Sequence, residues 1–339
     1  MNYNQVLENA KKNMNGRCIV CKECNGIACK GVIPGPGGKG TATSFINNYQ
    51  RFKEIKINMD LIYEKKELNT KIEMFGKTFK YPFFAAPISA VEIHYPGHYD
   101  EYDYSNIIVK GCKDAGVMAF TGDGETDQCY DSGIVAIKAN EGIGIPTIKP
   151  WSVKEIINRI RVAEDAGAIA VAMDIDAAGL TLLAGDKGIS PKSVDDLRQI
   201  VNSTKLPFIL KGIMTVHGAE KALEAGVYGI VVSNHGGRVL DHTPGTAEVL
   251  PEIVKHVKGK MKVLVDGGIR TGIDVFKAIA LGADAVLIGR PYCIAAYGGG
   301  IDGVAMYTEK TGSELEQTMI MTGCQNIDEI DSTAISYRR

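Results

Sequence analysis

Residues 206–290 read LPFILKGIMTVHGAEKALEAGVYGIVVSNHGGRVLDHTPGTAEVLPEIVKHVKGKMKVLVDGGIRTGIDVFKAIALGADAVLIGR. Four short apolar runs inside this stretch decide the fold: LPFILK (206–211), GIVVS (229–233), KVLVD (262–266) and AVLIG (285–289). Each ends in a polar or glycine-containing turn. The segments between them, TGIDVFKAIALGA for one, repeat apolar residues at three- and four-residue spacing. Near-continuous apolar strands joined by amphipathic helices predict a parallel sheet covered by helices. The same unit extends towards the N-terminus in AIAVAMD (168–174), GIPTIK (144–149), GVMAF (116–120) and PFFAAP (82–87), with SVKEIINRIRVAEDAG among the intervening helices. Eight units predict an α/β protein built as a (β/α)8 TIM barrel. An open, doubly wound sheet is the competing architecture, because periodicity alone does not close a barrel.

Residues 1–80 stand outside this repeat. They carry a bunch of cysteines, the Gly/Pro-rich stretch GVIPGPGGKGT and a helical pattern around SFINNYQRFKEI. They are read as a Cys- and Gly-rich extension packed on a barrel of residues 81–339, which ends in a closing helix, TEKTGSELEQTMIMTG. Of the 339 residues, 45% are hydrophobic and 23% charged, which excludes wholesale disorder. The formal net charge is −2, so electrostatics gives no reason to expect nucleic acid or an anionic membrane as a partner. No apolar run is long enough to span a bilayer. The opening MNYNQVLENAKKNMNG lacks the apolar core of a signal peptide, and a cytoplasmic location is the expectation.

Strand C-termini in such a barrel converge on one mouth. There the sequence places Lys211, the run Ser233-Asn234-His235-Gly236-Gly237-Arg238, the run Asp266-Gly267-Gly268-Ile269-Arg270, and Gly289-Arg290. Helix caps and solvated loops would account for one or two of these, but not for a lysine ending an apolar strand. The last two strand ends offer a phosphate site, with glycine amides to approach the oxygens and arginines for bidentate contacts. His235 is the candidate base rather than a satisfied structural histidine, because Arg238 lies three residues on, across two glycines. A carboxylate held by Arg238 would meet the imidazole, Asp176 would orient it, and Lys211 would set a fixed positive charge beside a cofactor atom gaining negative charge.

The segments LKGIMT, AGVYGIVVSNHGGRVLDHTPGT, VLVDGGIRTGIDVFKAIALGADAVLIGRP and TMIMTGC resemble the FMN-dependent L-2-hydroxy-acid oxidase/dehydrogenase family. The likeness runs in order over about residues 205–325. It continues more loosely over about 40–200, in SFINNYQRF, AAPISA and GCKDAGVMAF. The resemblance implies FMN at the strand C-termini. Asp266, Gly268, Arg270, Gly289 and Arg290 would hold its phosphate and ribityl chain, and Lys211 would sit at the N1/O2 edge. Ser233 would contact the isoalloxazine, which Pro87, Ile88 and Ser89 would pass on the backbone side. His235 would be the base, Arg238 the anchor for a small carboxylate substrate, and Asp176 the partner of the histidine. The implied reaction oxidises a small 2-hydroxy acid, lactate- or glycolate-like, to the 2-oxo acid, in an oxidase or dehydrogenase. Members of the family are often tetramers, so a homo-oligomer is expected.

The chain departs from the family in its substrate half. Thr147-Ile148-Lys149 stands where a Gln-x-Tyr is usual, Asp174 replaces a threonine, and AAGLTLLAG after Asp176 offers no second arginine. Thr147 and Asp174 would still face the flavin, and Lys149 is expected to replace the missing arginine in part. No tyrosine in GVIPGPGGKG matches the family's N-terminal substrate residue. Cys18, Cys21, Cys24 and Cys29 form a C-x2-C-x2-C-x4-C run, close to a ferredoxin-type spacing. It reads as an iron–sulfur or zinc site exchanging electrons with FMN, or as free structural thiols. Beside the oxidation of a hydroxy acid stand two alternatives: an FMN barrel of another reaction type, isomerase or reductase, and an electron-transfer or redox-sensing protein.

Overall fold

The computed structural model describes residues 1–180 and 188–337. Eight short parallel strands form its centre: β1 (Phe83–Ala85), β2 (Phe120–Thr121), β3 (Ile145–Ile148), β4 (Val171–Asp174), β5 (Phe208–Ile213), β6 (Gly229–Val232), β7 (Lys262–Val265) and β8 (Ala285–Ile288). They neighbour one another in the order β1-β8-β7-β6-β5-β4-β3-β2. The sheet closes where Ala85 N donates to Met118 O at 3.0 Å, just ahead of β2. That contact decides for a barrel over an open sheet. Ile230–Val232, Val263–Val265 and Ala285–Leu287 have no accessible surface. Barrel interior and helices cover both faces, which is why these strands read as unbroken apolar runs.

The helices of nine residues or more among the described residues are α1 (Tyr3–Asn13), α2 (Thr43–Glu54), α3 (Glu101–Asp114), α4 (Asp127–Ala139), α5 (Val153–Asp165), α6 (Val194–Asn202), α7 (Val216–Glu224), α8 (Thr246–Val257), α9 (Gly272–Ala280) and α10 (Arg290–Thr322). Helix α10 is broken at Gly300, φ +58°. Its last turns are the closing helix of the sequence reading. The first 80 residues lie against the barrel. Asn13 Nδ2 donates to Tyr297 O at 2.7 Å, fixing α1 on α10. Helix α2 packs at the C-terminal mouth, where Asn48 exchanges amide hydrogen bonds with Asn234 at 2.7 and 3.0 Å. Between α1 and α2, residues 14–42 contain neither helix nor strand, yet Lys39 N donates to Gly237 O at 2.8 Å and ties them to the mouth.

Candidate active site

A cavity of about 390 Å3 opens at the C-terminal ends of the strands, within the range of small-molecule sites. Pro87, Ile88 and Ser89 line it after β1, and Lys149 after β3. Asp174 lines it from the end of β4, Lys211 from β5 just before that strand's irregular stretch, and Asp266 just past β7, together with His235, Arg238, Gly268, Arg270, Gly289 and Arg290. The residues expected at the site therefore come together. Three stand behind its wall. Thr147 is fully buried, with a hydroxyl that has no hydrogen-bond partner. Ser233 is fully buried and accepts from His235 N at 3.0 Å, so it braces the turn of the histidine. Asp176 reaches the cavity only through the imidazole.

The turn after β6 holds three successive residues in left-handed backbone: His235 at φ +57°, Gly236 at +62° and Gly237 at +78°. A histidine there costs backbone strain, of the kind that persists where the surroundings fix a functional side chain. Its Nδ1 lies 3.0 Å from Asp176 Oδ1. With the carboxylate accepting from Nδ1–H, the lone pair resides on Nε2. Space for Asp176 comes from Gly212, at φ +111°, where a Cβ would sit 2.7 Å from the aspartate side chain. Gly212 lies in the irregular stretch of β5 between Lys211 and Ile213.

Two lysines share one aspartate. Lys149 Nζ is 2.9 Å from Asp174 Oδ2 and Lys211 Nζ is 2.9 Å from Asp174 Oδ1, all three side chains being buried. Burial pushes the Asp174 carboxyl up, but the Lys149 and Lys211 cations overcome it and hold the group well below the usual carboxylate range. Burial pulls Lys211 down, and Asp174, with Asp266 3.6 Å away, more than restores it. Burial pushes Asp266 up. Lys149, expected to replace the missing arginine in part, thus lines the cavity while paired with Asp174. Its ammonium reaches the cavity already paired, and the exchanges at positions 149 and 174 are one charge-balanced change.

The arginines are engaged by the N-terminal segment. Arg238 Nη1 donates to Gly35 O at 2.6 Å and Gly37 O at 3.1 Å. Arg290 Nε donates to Pro36 O at 2.7 Å while its guanidinium stacks 3.7 Å from the centre of the Phe45 ring. Burial lowers the pKa of Arg290 to about 10. Arg270 Nε donates to Cys24 O at 2.9 Å, and its Nη2 is buried with no protein partner. Gly268, which lines the cavity, also makes room for helix α2: at φ +87°, a Cβ there would run into the backbone of Asn48.

Sequence reasoning missed two residues. His94 ends a short helix, Val91–His94, whose start is held by Glu101 accepting from Ala90 N at 3.0 Å. Its Nδ1 accepts from Gly35 N at 3.2 Å, and its Nε2 lies 3.3 Å from Arg238 Nη2. Burial, then the Arg238 cation, lower its pKa to about 4. Asp123 is buried and accepts from Lys149 N at 2.9 Å, Trp151 Nε1 at 2.6 Å and Arg159 Nη1 at 3.1 Å, fixing the loop that carries Lys149. Neither had a local signal. His94 lies well past the end of its strand, and Asp123 is one of many aspartates following an apolar run.

Fold and site together define a barrel enzyme whose mouth suits a phosphorylated cofactor and a small anion. The family model described as FMN-dependent dehydrogenase matches residues 36–187 and 184–337, and the chain belongs to that family. It is 30% identical over 350 residues to the 4-hydroxymandelate oxidase of Amycolatopsis orientalis, covering 88% of this chain and 93% of that one. A peroxisomal (S)-2-hydroxyacid oxidase of Arabidopsis thaliana is 52% identical over 147 residues, 43% of this chain; that match spans 40% of the plant protein's length. Mandelate oxidase structures share the fold, one with a TM-score of 0.82 at 27% identity over 99% of this chain and 97% of that one. Another, with benzoyl-formic acid, has a TM-score of 0.80 at 28% identity over the same shares.

The residues present fit FMN. Arg270 Nη2 is a buried donor without an acceptor, as a phosphate oxygen would require. The Lys211 cation stands in the same cavity, where a reduced flavin would gather negative charge.

Proposed function

We propose that the protein oxidises a small L-2-hydroxy acid to the 2-oxo acid. The pairing of His235 Nδ1 with Asp176 Oδ1 at the wall of the cavity carries this reading. The bound flavin supplies a two-electron acceptor. His235 Nε2 takes the hydroxyl proton of the substrate, and Asp176 stabilises the imidazolium that results. Lys211 would balance negative charge gathered by the flavin. Arg270 and Arg290, with the backbone at Gly289, would hold its phosphate end, and Pro87, Ile88 and Ser89 would line its site.

The substrate carboxylate is assigned to Arg238 and His94. With Gly35 N–H donating to Nδ1, neutral His94 carries its proton on Nε2, so two donors stand 3.3 Å apart with no shared acceptor among the described residues, and one carboxylate oxygen facing both from the cavity side would serve them. A carboxylate there satisfies both, in place of the second arginine that other family members carry. Incubation with a panel of glycolate, lactate, mandelate and longer hydroxy acids, followed by identification of the product, tests the proposal. The 2-oxo acid is the expected product of at least one, and turnover of none would refute it.

Two further proposals concern its setting. A cytoplasmic location accords with eight free cysteines, and cell fractionation checks it. Homo-oligomerisation accords with the exposed apolar trio Met59, Leu61 and Ile62, and light scattering of the purified protein reads the state. The four bunched thiols lie outside this reaction scheme.

A further inference from the structure

Cys18, Cys21, Cys24 and Cys29 line one small cavity beside the flavin site, together with Met14, Ile19 and Ile294. None is in a disulfide. They precede residue 36, where the family match begins, so the flavin chemistry does not account for them. We propose that the four thiolates ligate a [4Fe–4S] cluster.

The spacing and the geometry agree. A C-x2-C-x2-C run supplies three ligands to one cubane in bacterial ferredoxins, and here the fourth cysteine, Cys29, lines the same cavity. A single zinc ion would draw its four sulfurs to about 3.8 Å from one another. Among the described residues, the one trio of metal-ligating side chains within 4.8 Å of one another is Asp174, Asp176 and His235, which belongs to the base and its lysine-paired neighbour. The thiols are therefore spread wider than one ion allows. A cubane needs such spread, because each thiolate binds a different iron.

The surroundings suit an anionic cluster. Arg290 lies in the wall of both the thiol cavity and the flavin cavity. Among the described residues its partners are backbone carbonyls and no carboxylate. Among the described residues no amide from Cys18 to Cys24 donates to a backbone carbonyl, which leaves donors of the kind that bond cluster sulfurs. Val20, between the first two cysteines, is held at φ +49°, an uncommon conformation for a β-branched residue. Residues 14–42 are far longer than the ~12–15 residues at which irregular loops become uncommon and are usually functional or disordered. This one is nonetheless ordered enough to present Cys24 O, Gly35 O, Pro36 O and Gly37 O to the three arginines of the flavin site. A cluster would staple it there.

The full chain, purified without oxygen, is expected to carry about four iron and four acid-labile sulfide per chain and to give a paramagnetic signal on dithionite reduction. The Cys21→Ser/Cys24→Ser double variant is expected to hold about tenfold less iron. FMN content, measured on the same samples, separates this test from that of the flavin reading. FMN-loaded protein that stays iron-free even after anaerobic incubation with ferrous iron and sulfide would overturn the proposal. So would one zinc per chain, or a double variant with as much iron as its parent.

Discussion

Replacing Asp174 by asparagine removes the carboxylate that stands 2.9 Å from both Lys149 and Lys211. Lys211 keeps Asp266 at 3.6 Å, but Lys149 is left as a buried cation with no ion-pair partner among the described residues. Breaking a buried pair in this way costs about 3–5 kcal/mol. With the usual unfolding entropy per residue, that lowers the melting temperature by about 4–7 °C for a chain of this size. Lys149→Met is milder, because Asp174 retains Lys211 and the methionine keeps the buried stem. The Lys149→Met/Asp174→Asn double variant recovers part of the loss of Asp174→Asn, since the stranded cation is gone. Thermal melts of the flavin-loaded variants by circular dichroism at pH 7 read all three. An Asp174→Asn melt within about 1 °C of the parent, or a Lys149→Met loss exceeding it, would refute the shared-aspartate scheme.

His94→Ala is expected to raise KM for the hydroxy acid more than it lowers kcat, because it removes a carboxylate donor and not the base; steady-state kinetics reads the split. The depressed pKa of His94 also carries a sign. Its folded value of about 4 lies below the unfolded value of ~6.5. The unfolded chain therefore protonates first as pH falls, and stability drops across that window by on the order of 3 kcal/mol. Urea titrations at pH 7 and pH 4.5 are expected to show a smaller drop in His94→Gln. Asp176→Asn removes the ionic partner of Nδ1, and kcat is expected to fall by about 10^2-fold or more with the bound flavin spectrum intact. Arg270→Met removes a buried donor that has no acceptor in the protein, and purified protein is expected to retain less FMN, measured by absorbance after release.

Much of the barrel was legible because strands buried on both faces are runs of apolar residues with little else in them. The runs at 229–233, 262–266 and 285–289 match β6, β7 and β8 to within a residue. GVMAF was harder. Val117–Ala119 are buried, but regular pairing begins only at Phe120, because the chain there bridges to β1 by single contacts. Among site residues, those at strand ends were readable because a barrel gathers strand ends by construction. The link between Lys149 and Asp174 was within reach of the same logic. Thr147 pairs with Ala172 and Ile148 with Met173, so the next residues of β3 and β4 fall level. The closure of Gly35–Gly37 over Arg238 and Arg290 was not legible. It joins segments about 200 to 250 residues apart through backbone carbonyls, which every residue type possesses. His94 depends on that same closure and went unread with it.

The most direct test of His235 as the base is rapid anaerobic mixing of the flavin-loaded protein with its best hydroxy acid, comparing the parent with His235→Gln. The expected result is full bleaching of the parent and a reduction rate about 10^2–10^4-fold lower in the variant, with the flavin still bound. A variant that bleaches within about threefold of the parent rate would contradict the assignment.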